Sequence, residues 1–107
     1  MATKRIPISE LKEKLEAGKK LLVVDVRETS EIQESGAIPG AIHIPIRQIE
    51  KRLDELPKKA EIVCYCGGGG RGSRAAESLL AAGFEQVQFC GLRDWKKAGL
   101  PTEPLKK

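Results

Sequence analysis

The chain is poor in the residues that many functions require. Its only histidine is His43, and its cysteines are Cys64, Cys66 and Cys90. No Cys/His grouping has zinc spacing, and Cys64-Tyr65-Cys66 is too tight for a Cys-x-x-Cys pair. An odd cysteine count argues against a disulfide framework. Aromatic residues are limited to Trp95, Tyr65, Phe84 and Phe89. The basic residues are scattered in pairs (Lys19-Lys20, Lys58-Lys59, Lys96-Lys97, Lys106-Lys107) rather than gathered in a stripe. Nucleic-acid binding wants clustered cations and stacking aromatics, so it is not expected. No apolar run approaches the ~20 residues of a membrane span. The opening MATKRIPISE has no secretory-type apolar core, which predicts a cytoplasmic protein. With no metal or organic cofactor implied, the chemistry must come from side chains and backbone.

What remains is an ordinary globular composition, 40% apolar and 32% charged over 107 residues, enough for one domain spanning 1–107. The net charge of +4 suits small anionic substrates. Leu21–Val26 and Ile62–Cys66 read as strands buried on both faces, and Ala41–Ile44 and Gln86–Phe89 as shorter strands. Helices are predicted over Ser9–Ala17 with Ser9 as cap, Glu28–Glu34, Ile46–Leu56, Ser73–Ala82 and Asp94–Ala98. Strands alternating with helices imply an α/β fold with a mainly parallel sheet and helices on both faces.

In such sheets, sites form beyond the carboxyl ends of strands. Cys66 lies at one of these ends, followed by Gly67, Gly68, Gly69 and Gly70, then Arg71 and a helix. A loop without Cβ atoms lets backbone N–H groups converge on one point. The helix start adds unpaired N–H groups and the positive end of its dipole. These features favour the thiolate, which is the nucleophile, and an anionic sulfur or oxyanion attached to it. A β-branched residue at Gly68 or Gly69 is expected to block the inward turn. Gly67, Gly69 and Gly72 also fit Gly-x-Gly-x-x-Gly, but a glycine run fits that pattern easily, and a dinucleotide domain needs a larger unit. Gly72-Ser73-Arg74 fails the Gly-Lys-Ser/Thr requirement of a Walker loop. A plain flexible loop beside a buried cysteine explains the run poorly, because ordered glycine costs entropy.

Five ordered segments together resemble the rhodanese family: LVVDVRE (22–28), GAIPGAIHIP (36–45), the Cys66-x-x-x-x-Arg71 loop, the 72–84 helix ending in Ala-Gly-Phe, and GLRDWKKAGLP (91–101). The resemblance implies a three-layer rhodanese-like fold with a five-stranded sheet. It implies a thiosulfate sulfurtransferase in which Cys66 carries a persulfide, Gly67–Gly70 supply N–H groups and Arg71 binds or closes over the anion. The implied partners are a small anionic sulfur donor and a thiophilic acceptor such as cyanide, a thiol or an acceptor protein; a monomer is expected. A non-catalytic sulfur carrier or protein-binding module is the alternative. Related phosphatases and arsenate reductases have one residue more between Cys and Arg, so the four present here favour sulfur over phosphate or arsenate. Ala37, Gly72 and Cys90 depart from the family's usual His, Ser and Gly. Asp25 and Arg27 read as a structural pair able to brace the loop, Cys64 and Cys90 as packing residues, His43 as structural and Trp95 as a core anchor.

Overall fold

The alternating pattern takes shape, in a computed structural model describing residues 3–18 and 20–104, as a layered α/β fold. These residues form β1 (Lys4–Arg5), α1 (Ile8–Glu16), β2 (Leu21–Asp25), α2 (Thr29–Ser35), β3 (Ile42–His43), β4 (Glu61–Cys66), α3 (Gly70–Ala81), β5 (Gln86–Gly91) and α4 (Leu92–Lys97). Lys19, Lys106 and Lys107 of the basic pairs lie outside the described residues.

All strand pairs are parallel, in the order β1-β5-β4-β2-β3. The central place belongs to β4, which explains its unbroken apolar run: both faces are covered, so neither needs polar residues. Alternation sends Val24, Cys64 and Cys66 to one face, against Ala75, Ala76 and Leu79 of α3. Val23, Val63, Tyr65 and Cys90 face the other way, against Leu11 of α1 and Leu92 and Trp95 of α4. Trp95 anchors α4 from within this second cluster, its Nε1 donating to the Pro101 carbonyl at 2.8 Å. Among the described residues no helix is long and apolar enough to cross a membrane.

Three expectations need correction, and one strand has no counterpart among them. Helix α1 starts at Ile8 with Pro7, not Ser9, in the capping place; Pro7 at φ −62° is already set for helix entry, and its carbonyl accepts the Leu11 N–H at 3.0 Å. The predicted Ile46–Leu56 helix is two 3-10 segments, Ile46–Lys51 and Leu53–Glu55, parted by Arg52 at φ −118°. Its apolar pairs, Ile46/Ile49 and Leu53/Leu56, are each three residues apart, which is the 3-10 repeat. Helix α3 starts at Gly70, three residues before Ser73. Strand β1 was not expected at all: Lys4 and Arg5 are exposed, and only pairing with β5 makes them a strand.

Candidate active site

Cys66 ends the central strand. Its side chain is in the core, 2% exposed, and its Sγ accepts the Gly69 N–H at 3.0 Å. The chain then turns through Gly67–Gly69 and enters α3, so Gly70 and Arg71 belong to the first helical turn rather than to the loop. The four glycines are not equivalent. Gly69 alone among them has a left-handed backbone, φ 114°, and a Cβ there would lie 2.6 Å from the Arg5 guanidinium. A Cβ on Gly67 or Gly70 would meet nothing within 4 Å, and one on Gly68 would meet only Arg93, at 3.8 Å. Of the two positions at which a β-branched residue is expected to block the inward turn, 69 is held to glycine by its φ, while 68 has room for a Cβ. Two further glycines permit close approach. A Cβ at Gly91 would sit 2.9 Å from the Gly67 carbonyl oxygen, and one at Gly72, which is buried inside α3, 3.0 Å from that of Cys64. The missing family serine at 72 is thus a matter of helix–strand contact, not of a lost cap.

A prediction follows from the difference between neighbours. Gly69→Val should turn the N–H away from Sγ at a strain cost of about 1–3 kcal/mol, whereas Gly68→Ala should lower neither stability nor Cys66 alkylation rate appreciably. Urea unfolding and iodoacetamide kinetics on both variants check it; equal behaviour of the two would refute the assignment.

Arg71 is committed to a partner. Its Nη1 and Nη2 donate to the two carboxylate oxygens of Glu31 at 2.7 and 2.8 Å, joining the start of α3 to α2. Glu31 in turn accepts the Glu28 N–H at 3.0 Å, closing the capping box of α2. The Arg71 hydrogen bond is the main reason the Glu31 carboxyl is held down to about 2. Arg71 is pushed above the ordinary arginine range, first by Glu31 and further by the nearby Cys66 sulfur. A carboxyl depressed on folding adds stability that is complete above its ordinary value of 4.5 and disappears as pH falls through about 2. Glu31→Gln should therefore flatten the acid limb of the stability profile across that window while costing stability at neutral pH. Denaturation midpoints between pH 7 and pH 2 measure this; parallel profiles would contradict it.

Other charged residues reach the loop from elements distant in sequence. Arg5 donates to the Gly68 carbonyl at 3.3 Å, pairs with Asp94 at 3.4 Å and stacks 5.0 Å from the Phe89 ring centre. The Arg93 N–H donates to the Gly67 carbonyl at 3.0 Å. Beside the loop lies a depression of about 270 Å³ bounded by Gly67, Arg93 and Lys96 on one side and by Glu31 and Glu34 on the other. None of Arg5, Glu31, Arg93 or Lys96 stands in the Cys66–Arg71 segment, and only the topology brings them there.

Asp25 and Arg27 form a buried ion pair, 0% and 3% exposed, with Nη2 to Oδ2 at 2.7 Å and Nε to Oδ1 at 3.0 Å. Arg27 goes on to donate to Ser35 Oγ at 2.7 Å and the Gly36 carbonyl at 2.8 Å. The pair braces the end of α2, not the loop after Cys66. Its guanidinium also lies 5.6 Å from the ring centre of Tyr65, whose hydroxyl accepts the Ile38 N–H at 3.0 Å. His43 Nε2 sits 2.7 Å from the Arg27 carbonyl oxygen, a structural placement. Cys64 and Cys90 are buried free thiols, and burial pushes each up to about 12. Among the described residues, no three of His, Cys, Asp and Glu are grouped as metal ligands would be.

Comparison with known proteins places this arrangement in context. The family model described as "Rhodanese-like domain" matches residues 8–98. A Bacillus subtilis protein named "Putative sulfur carrier protein YrkF" is 38% identical over 92 residues, covering 84% of this chain and 49% of that protein, so this chain spans about half of that relative. A protein of Allochromatium vinosum named "Sulfurtransferase" is 34% identical over 98 residues, covering 90% and 91% of the two chains. The crystal structure of the Alr3790 protein from Anabaena superposes with a TM-score of 0.82 at 36% identity, over 92% of this chain and 79% of that one.

Proposed function

The chain belongs to the rhodanese-like domain family, and on that premise we propose that it is a sulfurtransferase working through a persulfide on Cys66. The observation that carries the proposal is the position of the Cys66 sulfur: at the carboxyl end of the central strand, receiving an N–H at the head of α3. Names given to relatives, sulfurtransferase and sulfur carrier, support sulfur transfer as the general activity. Thiosulfate as donor and cyanide or a thiol as acceptor are the finer reading.

In the proposed cycle the Cys66 thiolate attacks the outer sulfur of thiosulfate. A new S–S bond forms on Sγ, the S–S bond of thiosulfate breaks, and sulfite leaves with the electron pair. The Gly69 N–H holds Sγ in place, and the positive end of α3 favours the negative charge carried by the outer sulfur of the persulfide. Cyanide or a thiolate then attacks that sulfur and Cys66 departs as thiolate. The Arg71–Glu31 pair fixes the start of α3 against α2, so the N–H geometry is held before substrate arrives. In this reading Gly67, Gly68, Gly69 and Gly70 form the backbone N–H cradle of the substrate, and Arg71, held by Glu31, adds its positive charge at the start of α3. We assign the activity to a monomeric cytoplasmic domain spanning 1–107.

Incubation with thiosulfate should add one sulfur atom to the intact protein, and cyanide should remove it as thiocyanate over many cycles. A gain of sulfur without turnover on any small acceptor would favour the carrier reading, which the YrkF name supports. No gain from thiosulfate or polysulfide would overturn both.

A further inference from the structure

The depression beside the loop, about 270 Å³, extends past Gly67 to Lys96 on α4. Its walls are also electrically unequal. One of its cations is already engaged, Arg27 by Asp25, and its Glu31 is taken by Arg71. The cations of α4 are different: the Arg93 side chain is exposed and lies 3.8 Å from the place a Gly68 Cβ would occupy, and Lys96 stands one helical turn further on. Among the described residues neither has an ion-pair partner, although the acidic Asp94 lies between them, paired with Arg5. Across the depression, Glu34 presents an exposed carboxylate. An anionic tail entering here is drawn to the α4 wall and repelled by the α2 wall.

We infer that Arg93 and Lys96 are specificity-determining residues that hold the carboxylate of an organic thiol acceptor while its sulfur reaches the persulfide on Cys66. The inference rests on the sulfur-transfer reading above. The thiolate of the acceptor attacks the outer sulfur, the Sγ–S bond breaks, and Cys66 leaves as thiolate. The acceptor departs as its own persulfide, so no outside oxidant or reductant is involved.

The test compares 3-mercaptopropionate, which carries a carboxylate, with neutral 2-mercaptoethanol as acceptors from the sulfur-loaded protein. The ratio of their transfer rates should fall about fivefold in Arg93→Ala/Lys96→Ala, the size expected from losing one to two exposed charge pairs. It should fall further in Arg93→Glu/Lys96→Glu, and added salt should lower it in the wild type alone. A ratio unchanged in both double variants overturns the inference. A second readout needs no sulfur chemistry: the rate of Cys66 alkylation by iodoacetate relative to iodoacetamide should fall in the same order across the variants. If wild type fails to load sulfur yet shows that order, the sulfur reading fails while the anion-selecting wall stands. If it loads sulfur and the order is absent, the wall is refuted and the sulfur reading survives.

Discussion

Cys66→Ser is expected to take up no sulfur from thiosulfate and to form thiocyanate at least about 10³-fold more slowly than wild type, the scale on which removing a nucleophile acts. The substitution isolates chemistry from structure. Serine is close to cysteine in size, so the well-packed end of β4 keeps its shape, and its hydroxyl oxygen can accept the Gly69 N–H that Sγ accepts at 3.0 Å. What it lacks is a readily formed, polarisable anion able to attack sulfur. The other thiols offer no substitute. Burial pushes Cys64 and Cys90 up to about 12, and Cys90 faces the opposite side of the sheet with Tyr65. Intact-mass measurement before and after thiosulfate decides the matter; a variant that still gains sulfur would move the carrier site to another cysteine.

Asp25→Asn should be the most damaging single change to stability, at about 3–5 kcal/mol. That is a large share of the ~5–15 kcal/mol that small domains possess. Asp25 is fully buried at the carboxyl end of β2, and both of its oxygens are taken by Arg27, whose own backbone N–H also donates to Oδ1 at 2.9 Å. Asparagine fits the space but leaves a guanidinium charge in the interior with no counter-charge. Arg27 cannot turn to water without abandoning Ser35, Gly36 and the face of Tyr65. Urea unfolding measures the loss. A cost below about 1 kcal/mol would mean that the pair behaves as an exposed one.

The strands that build the core were legible because burial on both faces forces apolar runs, as in the 21–24 part of Leu21–Asp25 and the 62–66 part of Glu61–Cys66. The thiol and glycine run were legible because they are contiguous. Strand β1 was not: Lys4 and Arg5 have no apolar pattern, and only the free edge of β5 gives them their conformation. The helix predicted over Ile46–Leu56 failed for a related reason. Spacings of three suit both helix types locally, and nothing in the segment itself marks the break at Arg52 between the turns that bury Ile49 and Leu56. Around Cys66, the sequence could not reveal that Arg71 is bound to Glu31, forty residues earlier, or that Arg5 and Arg93 meet the loop. Those contacts are properties of the strand order rather than of any segment.

That strand order has a consequence for synthesis on the ribosome. β4 can pair with β2 as soon as Cys66 emerges, since β2 precedes it. Its other neighbour, β5, ends at Gly91, and β1 has nothing to pair with until β5 is in place. The loop after Cys66 is tied to both late arrivals, through the Arg93 N–H to the Gly67 carbonyl and through Arg5 to the Gly68 carbonyl. The first strand translated is thus among the last docked, and the loop beside the nascent thiol is not tied down on both sides until most of the chain has been made.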